Sequence, residues 1–264
     1  MPFITVDGRP LEGVPLLYRM GRGFQVTAPF AYRDPRDGSV VAVPAHDTTR
    51  PPVEGNSTDF ASVPPFLWGL IANYGPQTLP AILHDAMVED ARRAPVDERL
   101  PRRRVADDLF RVALVDNGIH LLRARVMWAA VGLESRLRHG GALGWLLVAQ
   151  VAVGALWLIA ATVLAIVGAG GLGAWWLVTL AAPALLAAPW GSSSGLVIAA
   201  TYLGALYAPL VLGAFLASHV EGLIALAIWL ATGRRGPRPQ AEPTLIWKDE
   251  YGPEHGADRA SPPR

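Results

Sequence analysis

His84 and Asp85 stand side by side in Leu83-His84-Asp85. Further carboxylates lie at Asp59, within Thr58-Asp59-Phe60-Ala61-Ser62-Val63-Pro64, and at Asp107, within Ala106-Asp107-Asp108-Leu109-Phe110. An imidazole held by a carboxylate takes a proton from water, the carboxylate fixing its tautomer. A carboxylate beside the histidine can hold a divalent cation that polarises a carbonyl or phosphoryl oxygen. The same residues have plainer uses: a core histidine satisfied by a neighbour, and acids that cap helices or pair with arginines. Taken alone, they favour the plainer use.

Helical spacing sets where these groups face. From Leu83 onward, Leu83, Met87, Val88 and Ala91 form one apolar stripe with His84 in its middle, while Asp85 falls at its edge. An inward imidazole needs partners, because an unpaired buried polar group costs about 1–3 kcal/mol. On the next helical pattern Val105, Ala106, Leu109, Phe110, Val112 and Ala113 make the stripe, with Asp107 on one flank and Asp108 on the other. Arg104 and Arg111 are spaced to pair with Asp108 on the surface. Periodicity does not choose between the two acids as a partner for His84.

The elements that must position these groups are short strands, then helices. Phe24-Gln25-Val26-Thr27 and Val40-Val41-Ala42-Val43 are β-rich, and Asp34-Pro35-Arg36-Asp37-Gly38 between them is turn chemistry. Residues 45–56, with His46-Asp47, read as a loop insertion. Helices are expected over about 78–93, 102–116 and 120–138, with Pro95 and Pro101 bracketing the first connection and Asn117-Gly118 stopping the second helix. Arginines opening that helix oppose its dipole, so an acidic neighbour or a lipid is expected to compensate.

From Gly140 to Val220 there is no Asp, Glu, Lys or Arg, whereas residues before Gly140 have ordinary soluble-domain composition. A spanning helix needs about 20 apolar residues, so several spans are expected, near 143–168, 173–190, 195–212 and 214–233. The last two are separated because one helix over 195–233 would run about 58 Å, far beyond a hydrocarbon core of about 30 Å. Pro209 or Gly213 is the expected break. Arg136 and Arg138 precede the first span, and Arg234, Arg235 and Arg238 follow the last. Basic residues at both ends imply an even count with both termini cytoplasmic, four spans being preferred over three. The fold class is thus α+β. A soluble domain of residues 1–139 precedes an all-α transmembrane bundle over 140–233 and a disordered tail over 234–264, in which Thr244 to Tyr251 alone is apolar enough to dock.

Composition narrows function only at its edges. The net charge of +1 hides charged ends and a charge-free centre. No cysteine is present, which removes disulfide and thiolate chemistry. Residues 1–10 lack a basic segment followed by an apolar run, so no cleavable signal is expected. Lys248 is the sole lysine; arginine with abundant Ala, Gly and Pro reflects a GC-rich genome rather than nucleic-acid binding. The expected partners are the lipid bilayer and, for Arg99, Arg102, Arg103 and Arg104, anionic headgroups, at about 1 kcal/mol per well-placed residue. Oligomeric state is left open.

Residues from about Phe24 to Gly132 resemble a phage and bacterial family designated domain of unknown function 1353. The features that carry the resemblance are a β-rich start, Val43-Pro44, Thr58 to Pro64, His84-Asp85, and Ala106-Asp107 with Phe110. The resemblance selects Asp107 over Asp108 and places Asp59 at the site. A fainter likeness is to phospholipases A2, which pair a His-Asp helix with an aspartate on the following antiparallel helix. It implies His84 as general base, Asp107 as its orienting partner, and Asp85, with Asp59, toward a divalent cation such as calcium. The chain departs from that pattern in lacking cysteines, in having Tyr74-Gly75-Pro76 for the calcium loop, and in having Val88 where a tyrosine is usual.

Other groups have structural readings alongside functional ones. Ser62 lacks the Gly-x-Ser-x-Gly turn that exposes a nucleophile. Ser57, Thr58 or Asp59 can cap a short helix. His219 and Glu221 fall in or beside the last expected span, where an acid is a functional candidate, and an interfacial pair is the simpler reading. The expected function is a membrane-tethered domain with a His84–Asp107 hydrolytic or metal site; the alternative is a non-enzymatic anchor or phage-related accessory protein in which those residues are structural.

Overall fold

The computed structural model describes residues 2–19, 23–53, 55–60, 75–168 and 173–234. They fall into two units, one of residues up to 89 together with those from 211 onward, the other of residues 90–210.

The first unit opens with strands β1 (Phe3–Thr5), β2 (Leu16–Tyr18), β3 (Phe24–Val26), β4 (Phe30–Arg33) and β5 (Val40–Val43). β1, β4 and β5 form an antiparallel sheet in that order, and β2 pairs with β3. The β4–β5 connection is the expected turn. Asp34 Oδ1 accepts the Arg36 N–H at 2.9 Å, and Gly38, at φ 75, supplies the left-handed residue that closes it. Central β4 buries successive side chains on both faces, and the Phe3 ring packs 5.0 Å from Tyr32 and 6.0 Å from Phe30. Helix α1 (Thr78–Arg93) has the expected bounds. It buries Ala81, Ile82, Leu83 and Ala91, but His84, Met87 and Val88 are only half-buried. The imidazole therefore sits at the rim of the buried face and not in its middle.

In the second unit α2 spans Val96–Asp116, so it starts earlier than the expected 102, with Pro95 as N-cap and Pro101 inside the helix. Proline's φ is already helical, and only the bond to the Asp97 carbonyl is forfeited. Asp97 and Glu98 occupy the first turn, where the dipole favours acids. They supply the expected compensation: Arg102 pairs with Glu98 at 2.7 Å and with Asp90 at 3.4 Å. Val105, expected in the buried stripe, is exposed. The helix ends as expected at Asn117-Gly118. Gly118 has φ 85, its N–H reaches the Val115 carbonyl at 3.0 Å and the Ile119 N–H reaches Leu114 at 2.9 Å.

Helix α3 (Leu121–His139) is followed after Gly140 by α4 (Gly141–Ile166). The corner needs glycine, since a Cβ on Gly144 would lie 1.9 Å from the Arg136 carbonyl oxygen. Helix α5 (Gly173–Leu186) returns antiparallel to α4, with Gln150 Nε2 donating to the Leu186 carbonyl at 2.7 Å and Trp157 Nε1 to that of Thr179 at 3.2 Å. A 3-10 turn over Ala188–Ser193 leads into α6 (Ser194–Ala231). The start of α6 lies parallel to α4. Leu147 and Val151 share a core with Leu196, Val197 and Ala200, and a Cβ on Gly154 would lie 2.8 Å from Thr201 Cγ2.

The four expected spans are therefore corrected. The first matches α4, the second stops short at Leu186, and the third and fourth are one helix of 38 residues that runs through Pro209 and Gly213. Pro209 forfeits the bond to the Ala205 carbonyl and crowds that carbonyl with its ring, yet the helix continues through it, and Gly213 is not among the glycines at positive φ. Two stretches, Gly141–Ile166 and Ala188–Ala231, are long and apolar enough to cross a membrane; the remaining apolar helix, Trp176–Leu186, is shorter. Ser62, Tyr74 and the tail beyond Arg234, with Thr244 to Tyr251, lie outside the described residues.

Candidate functional site

Thr58 joins two of the sequence motifs. Its backbone exchanges hydrogen bonds of 2.8 Å in both directions with Phe24, adding a rung beside β3. Gly23, at φ 93, makes room: a Cβ there would lie 2.9 Å from the Thr58 carbonyl oxygen. The buried Thr58 hydroxyl donates to Asp85 Oδ2 at 2.8 Å and accepts the Phe60 N–H at 3.0 Å. Phe60 has φ 67, a left-handed conformation unusual for an aromatic residue, and its ring stacks on Phe24 at 4.5 Å. Strain of this kind persists only where surrounding contacts impose it. Here the Thr58 hydroxyl and the Phe24 ring impose it, and the intervening Asp59 is half-buried.

The insertion over 45–56 is built rather than loose. Gln25 is fully buried; its Nε2 donates to the carbonyls of Asp47, Arg50 and Asn56 at 3.1, 3.3 and 3.0 Å, and its Oε1 accepts from Arg19 Nε at 2.7 Å. His46, expected to be plain loop, accepts the Val26 N–H on Nδ1 at 2.9 Å. A ring nitrogen that accepts carries no proton, so His46 is neutral with its hydrogen on Nε2. Burial pulls its pKa below the ordinary 6.5, and the Asp85 carboxylate opposes that pull. Nothing in the sequence beyond residue type marked it.

His84 lies on α1 immediately before Asp85 and is half-buried. Asp107 lies on α2, 1% exposed, with Oδ2 3.9 Å from Arg136 Nη1 on α3. Burial of Arg136 and then the charge of Arg104 lower its pKa, against the pull of Asp107 and Asp108. Asp108, by contrast, is exposed and accepts from Trp128 Nε1 at 3.0 Å, while Arg111 and Arg125 lie over the Trp128 ring at 5.7 and 5.5 Å. Arg104, expected beside Asp108, bonds Ser192 Oγ instead at 2.7 Å. Thr58 and Asp85 are thus brought together, and Asp107 is the buried one of its pair. His84 belongs to the first unit and Asp107 to the second.

Among the described residues no three His, Asp or Glu side chains converge where a metal ion could be held. Asp85 and Asp59, given a calcium role by the resemblance, belong to no such group among the described residues. On α6 the His219 Nδ1–H donates to the Phe215 carbonyl of its own helix at 2.8 Å, with the two rings 4.0 Å apart. That histidine is satisfied locally.

These features define a mixed α+β protein, strands first and then mostly helices, with two helices among the described residues long and apolar enough to cross a membrane. Residues 24–131 match the family model described as a protein of unknown function, DUF1353. The match takes in Thr58, His84, Asp85 and Asp107 and ends before α4 begins. No curated protein and no solved structure matches the chain.

Proposed function

We propose that the chain is a multi-pass protein of the cell membrane, and that its DUF1353 domain, on the cytoplasmic face, hydrolyses an ester at the bilayer surface with His84 as general base. The observation that carries the site is the Thr58–Asp85 hydrogen bond, which fixes the loop of one motif to the turn of α1 that bears His84. In the proposed step His84 takes a proton from water as the water oxygen adds to the ester carbonyl. The departing alkoxide then takes that proton back from the imidazolium. Asp85 is a positioning residue.

Membrane insertion is supported by what the apolar helices expose. Leu143, Trp145, Leu146, Val153, Leu156 and Trp157 on α4 are all largely uncovered, a surface too apolar for water. Helix α6 would be about 57 Å long. The even count followed from arginines at both ends of the apolar region, and four spans met it only by splitting residues 195–233. With α5 antiparallel to α4 and α6 parallel to it, three traversals are proposed in place of four. The chain has no cysteine, so an introduced one is unique. Val96→Cys and Thr232→Cys are expected to be labelled from opposite sides of sealed vesicles; labelling from one side sinks the three-traversal topology.

A second, non-enzymatic reading is a membrane-anchored accessory module. It is favoured by the 3.9 Å approach of Asp107 to buried Arg136, the use of a carboxylate that holds helices together. Ester hydrolysis on vesicles by wild type and His84→Ala separates the two readings.

A further inference from the structure

A second polar cluster lies wholly within residues 90–210. Arg104 Nη2 donates to Ser192 Oγ at 2.7 Å and Arg136 Nη2 to Ser193 Oγ at 3.4 Å, so consecutive serines draw two guanidinium groups to one turn. Arg103 and Arg136 are each more than nine-tenths buried, and the Nε of both lacks a hydrogen-bond partner among the described residues. The carboxylates whose charge reaches Arg136 are Asp107 and Asp108, and Asp108 already accepts from Trp128. Nearby His139 is held below its ordinary pKa by burial, then by Arg103, Arg99 and Arg138, with only Glu134 opposing. Arg136 Nη1 donates to the Gly132 carbonyl at 3.1 Å, so positive charge is concentrated and buried, with the two Nε–H groups lacking acceptors among the described residues.

Its place in the fold says what would supply the acceptors. Arg136 lies in the last turn of α3, just before α4, and Ser193 directly precedes α6. Both long apolar helices therefore begin beside this cluster. We propose that Arg104 and Arg136, with the hydroxyls of Ser192 and Ser193, bind the phosphate of an anionic lipid headgroup where these helices enter the bilayer. Guanidinium suits the task because its fixed fork of donors matches phosphate oxygens. The inference rests on the membrane reading but not on the hydrolytic one.

The test uses the full chain, first for resistance to alkaline carbonate extraction from membranes. The thermal midpoint in neutral detergent is then followed with added phosphatidylglycerol, phosphatidylcholine or inorganic phosphate. A ligand that binds the native state raises that midpoint. Phosphatidylglycerol alone is expected to raise it. Arg104→Gln, and separately the pair Ser192→Ala with Ser193→Ala, are expected to keep the lipid-free midpoint while binding that lipid about tenfold more weakly. Arg136 is left intact because its loss would strand Asp107. Equal response in the variants, or an equal shift with phosphatidylcholine, overturns the proposal. A shift with inorganic phosphate alone assigns the cluster to a soluble anion and overturns the lipid. Protein released by carbonate overturns the membrane reading and this inference together, whereas retained protein with no lipid response overturns this inference only.

Discussion

The polar cluster around Thr58 is closed by its own side chains, and the one around Arg136 is not. Thr58, Asp85, His46 and Gln25 meet backbone groups and each other at 2.7–3.3 Å. Around Arg136, among the described residues, the Asp107 carboxylate is 3.9 Å away and the Nε atoms of Arg103 and Arg136 have no hydrogen-bond partner. A closed cluster fixes geometry; an open cationic one has capacity for a ligand. Residues that look most chemical in the sequence are thus partly the ones that hold the fold.

Four positions probe that contrast by substitution. Asp107→Ala has the largest expected effect: it leaves Arg136 buried beside Arg104 without its carboxylate, costing about 3–5 kcal/mol, read as a fall in thermal midpoint in detergent. Gly154→Leu comes next. A Cβ there already meets Thr201 Cγ2 at 2.8 Å, and overpacking of this kind costs about 1–3 kcal/mol, again as a lower midpoint. Thr58→Val removes the donor to Asp85 and the acceptor that holds Phe60, costing about 1–3 kcal/mol. Thr58→Ser restores both bonds, and it is expected to recover most of the loss, measured by protection of the domain from protease.

The smallest effect concerns pH. Burial lowers the folded-state pKa of His46 below 6.5, so below that pH the unfolded chain binds more protons than the folded one. The stability contributed is therefore fully present above about 6.5 and is lost as pH falls toward the folded value. His46→Asn keeps an acceptor for the Val26 N–H without titrating. It is expected to flatten the slope of thermal midpoint against pH between about 6.5 and 5; an unchanged slope contradicts this role for His46.

What could be read in the sequence followed from local chemistry. The α1 bounds, the Asn117-Gly118 stop and the Asp34–Gly38 turn each depend on a few adjacent residues, and each is found where expected. Proline proved a weaker helix boundary than its chemistry suggests. Pro101 and Pro209 both lie inside helices, each at the cost of one hydrogen bond among many. Strand β4 has four residues, too few for alternation to announce itself, and it lies between β1 and β5 in the sheet. The Thr58–Asp85 bond and the acceptor role of His46 span 27 and 20 residues, separations that no periodicity encodes. The choice of Asp107 over Asp108 needed the family resemblance; Asp107 is the buried one of the two.

The most direct test of the proposed activity is the hydrolysis rate of the full chain reconstituted in vesicles, for wild type and His84→Ala. Thermal midpoints are measured alongside, and calcium or a chelator is added in parallel. Wild type is expected to cleave the ester whichever is present. His84→Ala is expected to lose nearly all of that activity at an unchanged midpoint. No cleavage by wild type under any condition, or cleavage that survives His84→Ala, would contradict the hydrolytic site and leave the non-enzymatic anchor as the reading that stands.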